Sequence, residues 1–93
     1  MALTERALIE RFFRDCGAKR SDVRIGIGDD AALLDLPPGM QLVAKVDTLV
    51  SGVHFLPDAS PAAIGHRALA VNLSDIAAMG AKPTLALLAL SLP

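Results

Sequence analysis

The chain has ninety-three residues, nine of them Lys or Arg and ten Asp or Glu, for a net charge of −1. That length allows one modest domain, and the charge implies no electrostatic attraction to nucleic acid or an anionic membrane and disfavours binding to a phosphate backbone. Hydrophobic residues make up 53% but aromatic ones only 3%, so the apolar content is small aliphatic side chains suited to close packing between elements.

Leu8, Ile9, Phe12, Phe13 and Cys16 recur at helical spacing and predict a helix over 4–16, capped by Thr4 and stopped by Gly17. Ala18 to Asp22 read as a charged connector. Val23, Ile25 and Ile27 then alternate with Arg24, Gly26 and Gly28 as a strand, which continues or restarts through Ala31 to Leu34. Pro37-Pro38-Gly39 is a turn expected to link two strands. The second strand covers 41–50, and Ser51-Gly52 breaks it before Val53-His54-Phe55. Ser60-Pro61 starts a helix over 61–79 that Gly80 ends, and its latter half, apolar nearly all round, reads as buried. Residues 84–92 read as a last strand.

The order α-β-β-α-β makes this a mixed α/β or α+β unit, without internal repeats or low-complexity linkers. The chain stops inside or just past an apolar run at 87–93 that leaves no polar face, which reads as a truncation. No run approaches the ~20 residues of a membrane helix, and the start Met1-Ala2-Leu3-Thr4-Glu5 lacks a signal-peptide pattern. The lone Cys16 excludes an internal disulfide and reads as a small buried or half-buried apolar residue. A cytoplasmic protein is the expectation.

Three acidic sites sit among apolar neighbours: Asp29-Asp30, Asp47 in Lys45-Val46-Asp47-Thr48, and Asp75 in Asn72-Leu73-Ser74-Asp75-Ile76. An ionised carboxylate in such surroundings is costly unless something positive accompanies it. Asn72 and Asp75, at i and i+3, share a helix face. A hard cation such as Mg²⁺ takes oxygen ligands, one or two carboxylates and the remainder from water and phosphates, so three carboxylates suit ions gathered around a polyphosphate. The plainer readings stand beside this one: a solvated turn or cap for Asp29-Asp30, an exposed or Arg-paired Asp75, a structural or surface His54, a surface His66, and solvated Lys19, Arg20 and Arg67. Gly26-Ile27-Gly28 has no G-K-[ST] after it and does not make a Walker-type phosphate loop.

Three segments carry a resemblance. They are Gly26-Ile27-Gly28-Asp29-Asp30-Ala31-Ala32-Leu33, then Asp47-Thr48-Leu49-Val50-Ser51-Gly52-Val53-His54-Phe55, then the stretch from Ala70 to Pro83 with Asn72-Leu73-Ser74-Asp75-Ile76-Ala77-Ala78-Met79-Gly80 at its centre. In order and spacing they resemble the thiamine-monophosphate kinase family, over nearly the whole chain. The third segment is shared more loosely with ATP-dependent synthases such as aminoimidazole ribonucleotide synthetase and selenophosphate synthase.

The resemblance implies an incomplete N-terminal domain, residues 1–93, of the aminoimidazole ribonucleotide synthetase-like fold, which binds ATP and Mg²⁺ and dimerises, with the C-terminal domain absent. It implies direct transfer of phosphate from ATP to thiamine monophosphate, giving thiamine diphosphate, assisted by several Mg²⁺ ions, in a full-length homodimer. It implies Asp30, Asp47 and Asp75 as metal ligands and His54 as a contact to the thiamine phosphate, with Asp29 left to solvent, a turn or a supporting contact. The acceptor phosphate, with a second pKa of ~6, is largely ionised at pH 7 and needs no general base.

Two departures from the family pattern stand out. Ser or Thr usually precedes the second Asp, where this chain has Lys45 and Val46. Val46 can offer an ion only its carbonyl oxygen. Lys45 either supplies one ion's charge itself or points to solvent. The family is also about three times longer, with a further Gly-Gly-Asp-Thr segment, so this chain alone is expected to be inactive or nearly so. The alternatives are a non-catalytic nucleotide-binding or dimerisation module of the same fold, and a related ATP-dependent synthase with another acceptor.

Overall fold

The computed structural model of the chain describes residues 3–17 and 19–92. Its element order is α1 (Glu5–Phe12), β1 (Val23–Ile25), β2 (Leu33–Leu34) and α2 (Pro61–Ala78), a mixed α/β chain. The chain divides into two units, Met1–Leu42 and Val43–Pro93. Met1, Ala2, Pro93 and the start of the expected connector at Ala18 lie outside the described residues.

In the first unit, Thr4 caps α1 as its residue type requires: Thr4 Oγ1 accepts from Ala7 N–H at 3.1 Å, and Thr4 O accepts from Leu8 N–H at 2.9 Å. Glu5 in the first turn and Arg11 in the last complement the helix dipole. The helix stops at Phe12, short of the expected Cys16. Phe13 leaves the helical region at φ −121°, and the N–H groups of Phe13 and Arg14 both donate to Ile9 O, which closes the last turn. Cys16 is exposed, which corrects the expectation of a covered side chain.

The apolar alternation from Val23 does not run through as one strand. It folds back, and β1 pairs antiparallel with β2 in the register Val23↔Leu34 and Ile25↔Leu33, with a bulge between. Asp35 N–H donates to Asp22 O at 2.8 Å at one end of the ladder, and Arg24 Nε reaches Asp35 Oδ2 at 2.5 Å across it. Arg20 grips Asp22 with both arms of its guanidinium, at 2.9 and 2.8 Å. Pro37-Pro38-Gly39 makes a turn closed by Met40 N–H to Pro37 O at 3.2 Å, with Gly39 at φ +75°. The turn does not join two paired strands, because 41–50 forms no ladder.

In the second unit, residues 50–55 curl into a tight loop. Val50 O accepts from Val53 and His54 N–H, Gly52 N–H donates to Phe55 O at 2.8 Å, and Ser51 and Phe55 form an isolated bridge. Ser60 then caps α2 through Oγ to Ala63 N–H at 3.1 Å, with Pro61 in the first helical position, where its missing N–H costs nothing. α2 ends within one residue of expectation. Ala81 N–H donates to Ile76 O and Gly80 N–H to Ala77 O, the paired bonds of a Schellman stop, and Gly80 supplies the left-handed φ of +68° that this stop requires.

One stripe of α2 is half-buried, formed by Ile64, Ala68, Val71, Asn72 and Ile76, at helical spacing. The expectation of an all-round buried helix is not met: no described residue is fully buried, and Leu69 remains 53% exposed. The expected strand at 84–92 likewise has no ladder among the described residues, and Leu87 is 88% exposed. A strand is a property of a pair, since its N–H and C=O groups point sideways to a neighbour, and apolar patterning alone does not provide one. No helix is long and apolar enough to cross a membrane among the described residues.

Candidate functional site

The second unit brings two of the sequence-identified carboxylates together. Asp47 lies in the extended segment before the 50–55 loop, and Asp75 lies in the last turn and a half of α2. Between them sits Lys45, whose Nζ hydrogen-bonds Asp47 Oδ2 and forms an ion pair with Asp75 Oδ2 at 2.5 Å. The positive partner that an acid among apolar residues demands is therefore present, and it comes from the chain itself. The Lys45 side chain is 24% exposed and its two partners 45% and 55%. The Asp47 hydrogen bond, then that of Asp75, holds the Lys45 ammonium above the usual lysine range. The other oxygen of each carboxylate makes no hydrogen bond among the described residues.

Asn72, one turn before Asp75, is turned back on its own helix: Nδ2 donates to Ala68 O at 2.8 Å. Its Oδ1 is buried without a hydrogen-bond partner among the described residues. The i, i+3 spacing puts Asn72 and Asp75 on neighbouring positions of α2, as expected, but their side chains bond different groups. Val46 is 82% exposed, and a valine offers an ion only its backbone carbonyl.

His54 closes the 50–55 loop. Its Nδ1 accepts from Val50 N–H at 2.9 Å, so a neutral ring carries its proton on Nε2. Nearby in the same unit, Phe55, Ile64, Arg67 and Ala70 line an apolar cleft of about 450 Å³, with the surface residue His66 on its wall.

Asp30 belongs to the first unit. Asp29 and Asp30 line a polar cleft of about 380 Å³ together with Glu5, Arg6 and Glu10 of α1. Asp29 Oδ1 accepts from Asp30 N–H at 2.8 Å, which ties Asp29 to the turn and leaves the Asp30 carboxylate without a hydrogen bond among the described residues. Gly28, at φ +109°, makes the bend that sets this pair. The part α1 plays in walling the cleft was not legible in the sequence, where Glu5, Arg6 and Glu10 look like the wet face of an amphipathic helix. Among the described residues, no group of three or more His, Cys, Asp and Glu side chains converges.

Comparison with known proteins adds independent findings. The family described as AIR synthase related protein, N-terminal domain, matches residues 28–93, which include the candidate residues Asp30, Asp47, His54 and Asp75. The chain is 55% identical to the thiamine-monophosphate kinase of Escherichia coli (strain K12) over 93 residues, all of this chain and 29% of that protein. It is 46% identical to that of Haemophilus influenzae over 93 residues, 28% of that protein. It is 54% identical to that of Bacillus subtilis (strain 168) over 74 residues, 78% of this chain and 23% of that protein. The chain thus spans less than a third of the length of these relatives. No solved structure matches it.

Proposed function

Because the chain belongs to the AIR synthase related family through its N-terminal domain, we propose that residues 1–93 form the cation-gathering part of an enzyme that phosphorylates thiamine monophosphate with ATP, yielding thiamine diphosphate. One observation carries the reading: Asp47 and Asp75, from separate segments, converge on a single cation position. The names of the relatives supply the substrate class.

The donor set fits Mg²⁺, a hard ion held by carboxylate and carbonyl oxygens. Asp47 and Asp75 in one unit and Asp30 in the other are the proposed ligands, with the Val46 carbonyl as a further oxygen. When bound, such ions neutralise the charge that develops as an anionic acceptor approaches the γ-phosphoryl group. The chain's own contribution at the acceptor is His54. With Nδ1 engaged by Val50 N–H, its Nε2–H is the ring's free donor and suits a phosphate oxygen. No side chain has to remove a proton, since the acceptor phosphate is already largely ionised at pH 7, its second pKa being ~6. Several Mg²⁺ ions, ATP as co-substrate, a homodimeric full-length protein and a cytoplasmic setting belong to the same reading.

The test is a graft of residues 1–93 in place of the matching segment of the Escherichia coli relative. The graft should turn over ATP and thiamine monophosphate. Asp47→Asn in it should lower kcat by about 100-fold or more, since even residues that merely orient metal ligands are worth 10- to 100-fold. His54→Ala should raise KM for thiamine monophosphate more than KM for ATP. An Asp47→Asn graft with unchanged turnover would overturn the assignment.

A further inference from the structure

Lys45 is the feature that the proposed function does not require. Its ammonium contacts one oxygen of Asp47 and one of Asp75, and both carboxylates are committed to the same nitrogen. Any cation that used those two oxygens would have to push the ammonium aside, because like charges cannot share so small a space. The side chain is also the best covered of the three, at 24% exposed, so it is not a solvated lysine that merely swings past. Its four-carbon stem starts two residues from Asp47, and this short tether keeps its local concentration high.

We propose that Lys45 is a built-in counter-cation that occupies the ion position between Asp47 and Asp75 and competes with a divalent cation for it. It rests on the reading above, in which those carboxylates face ions. The lysine leaves the pair partly neutralised in the absence of any ion, and the protein binds a divalent ion there only by displacing the ammonium. Lys45 is in this sense a specificity-determining residue: it lowers the affinity of this pair for Mg²⁺ and Mn²⁺ and supplies a fixed single positive charge in their place.

Mn²⁺ binding to the 93-residue chain, read from the electron paramagnetic resonance signal of free Mn²⁺ without nucleotide or thiamine phosphate, tests this. Two exposed ion pairs of ordinary strength amount to about a tenfold factor in a competing equilibrium. Lys45→Met should therefore bind Mn²⁺ about tenfold more tightly than the parent, Lys45→Arg should stay close to the parent, and adding Asp75→Asn to Lys45→Met should abolish the gain. Equal affinity and stoichiometry in the parent and Lys45→Met, or a gain that survives Asp75→Asn, overturns the proposal. The unaltered protein provides a second reading that needs no substitution. As Mg²⁺ is added, the side-chain resonances of Lys45 and the carboxyl carbons of Asp47 and Asp75 should move together; carboxyl carbons that respond while Lys45 does not would also overturn it. Neither measurement involves turnover, so a graft that lacks kinase activity while Lys45→Met gains Mn²⁺ would defeat the functional reading and leave this one standing.

Discussion

Asp29 and Asp30 are neighbours in sequence and do different work, whereas Asp47 and Asp75 come from separate segments and share one partner. In the first unit, Asp29 Oδ1 accepts from the N–H of Asp30, and of that pair the Asp30 carboxylate has no hydrogen bond among the described residues. In the second, Lys45 links the two acids directly. Adjacent residues in extended or turning backbone point in different directions, so adjacency separates side chains, and convergence has to be built by folding distant segments together. The two sites are also held differently, one by a glycine-made bend and the other by a well-capped helix.

The comparison breaks most visibly in the graft. Asp75→Asn should reduce kcat by about 100-fold or more, as for Asp47→Asn, while Asp29→Asn should leave it within about threefold. Equal losses at Asp29 and Asp75 would erase the distinction between a turn-forming and a cation-facing acid. The means of support come next. Gly28→Ala should cost about 1–2 kcal/mol in urea unfolding of the graft, because the native φ of +109° is unfavourable to a Cβ. Nothing lies within 4 Å of that Cβ, so the cost is backbone strain alone. Ser60→Ala, which removes the α2 cap behind Asp75, should cost about 1 kcal/mol.

The smallest effects are electrostatic and have opposite signs in the two units. In the first, the Arg20 hydrogen bond holds the Asp22 carboxyl below the ordinary aspartate range. Its small contribution is complete above the unfolded value of about 3.9 and is lost as pH falls through the lower folded one. In the second, Lys45 titrates above the ordinary lysine range. Its contribution is complete below about pH 10.4 and is lost as pH rises through the folded value. Side-chain NMR titration should show Asp22 moving back up in Arg20→Gln, and Lys45 moving back down in Asp47→Asn.

Local signals in the sequence carry over into the structure. Thr4 and Ser60 cap the helices they were assigned, Pro61 sits in the first helical position, and Gly80 ends α2 one residue from the expected place. Caps and stops act through bonds within a few residues, and those bonds depend on side-chain chemistry that is visible in the sequence. Strand signals carry over less well, because a strand needs a partner. Residues 23–34 alternate like one long or interrupted strand, yet Gly28 and the acids after it turn the chain, and the two halves pair with each other. The 41–50 and 84–92 stretches have strand composition and no ladder partner in the chain described. Among the candidate residues, the three acid positions and His54 were legible as charges and a ring among apolar neighbours. The competition between Lys45 pointing to solvent and Lys45 replacing an ion was stated by the sequence and left open by it, because alternation places residues 45 and 47 on one face without saying what faces them.

By itself, the sequence determined the caps that start both helices, the glycine that stops α2, the family and the identity of the residues able to bear charge, all of which follow from local bonding and residue type. Tertiary structure alone decided that Asp47 and Asp75 meet, with the Lys45 ammonium between them. That outcome depends on how segments distant in the chain are laid side by side, and a carboxylate's partner is settled by what arrives within hydrogen-bonding reach of it.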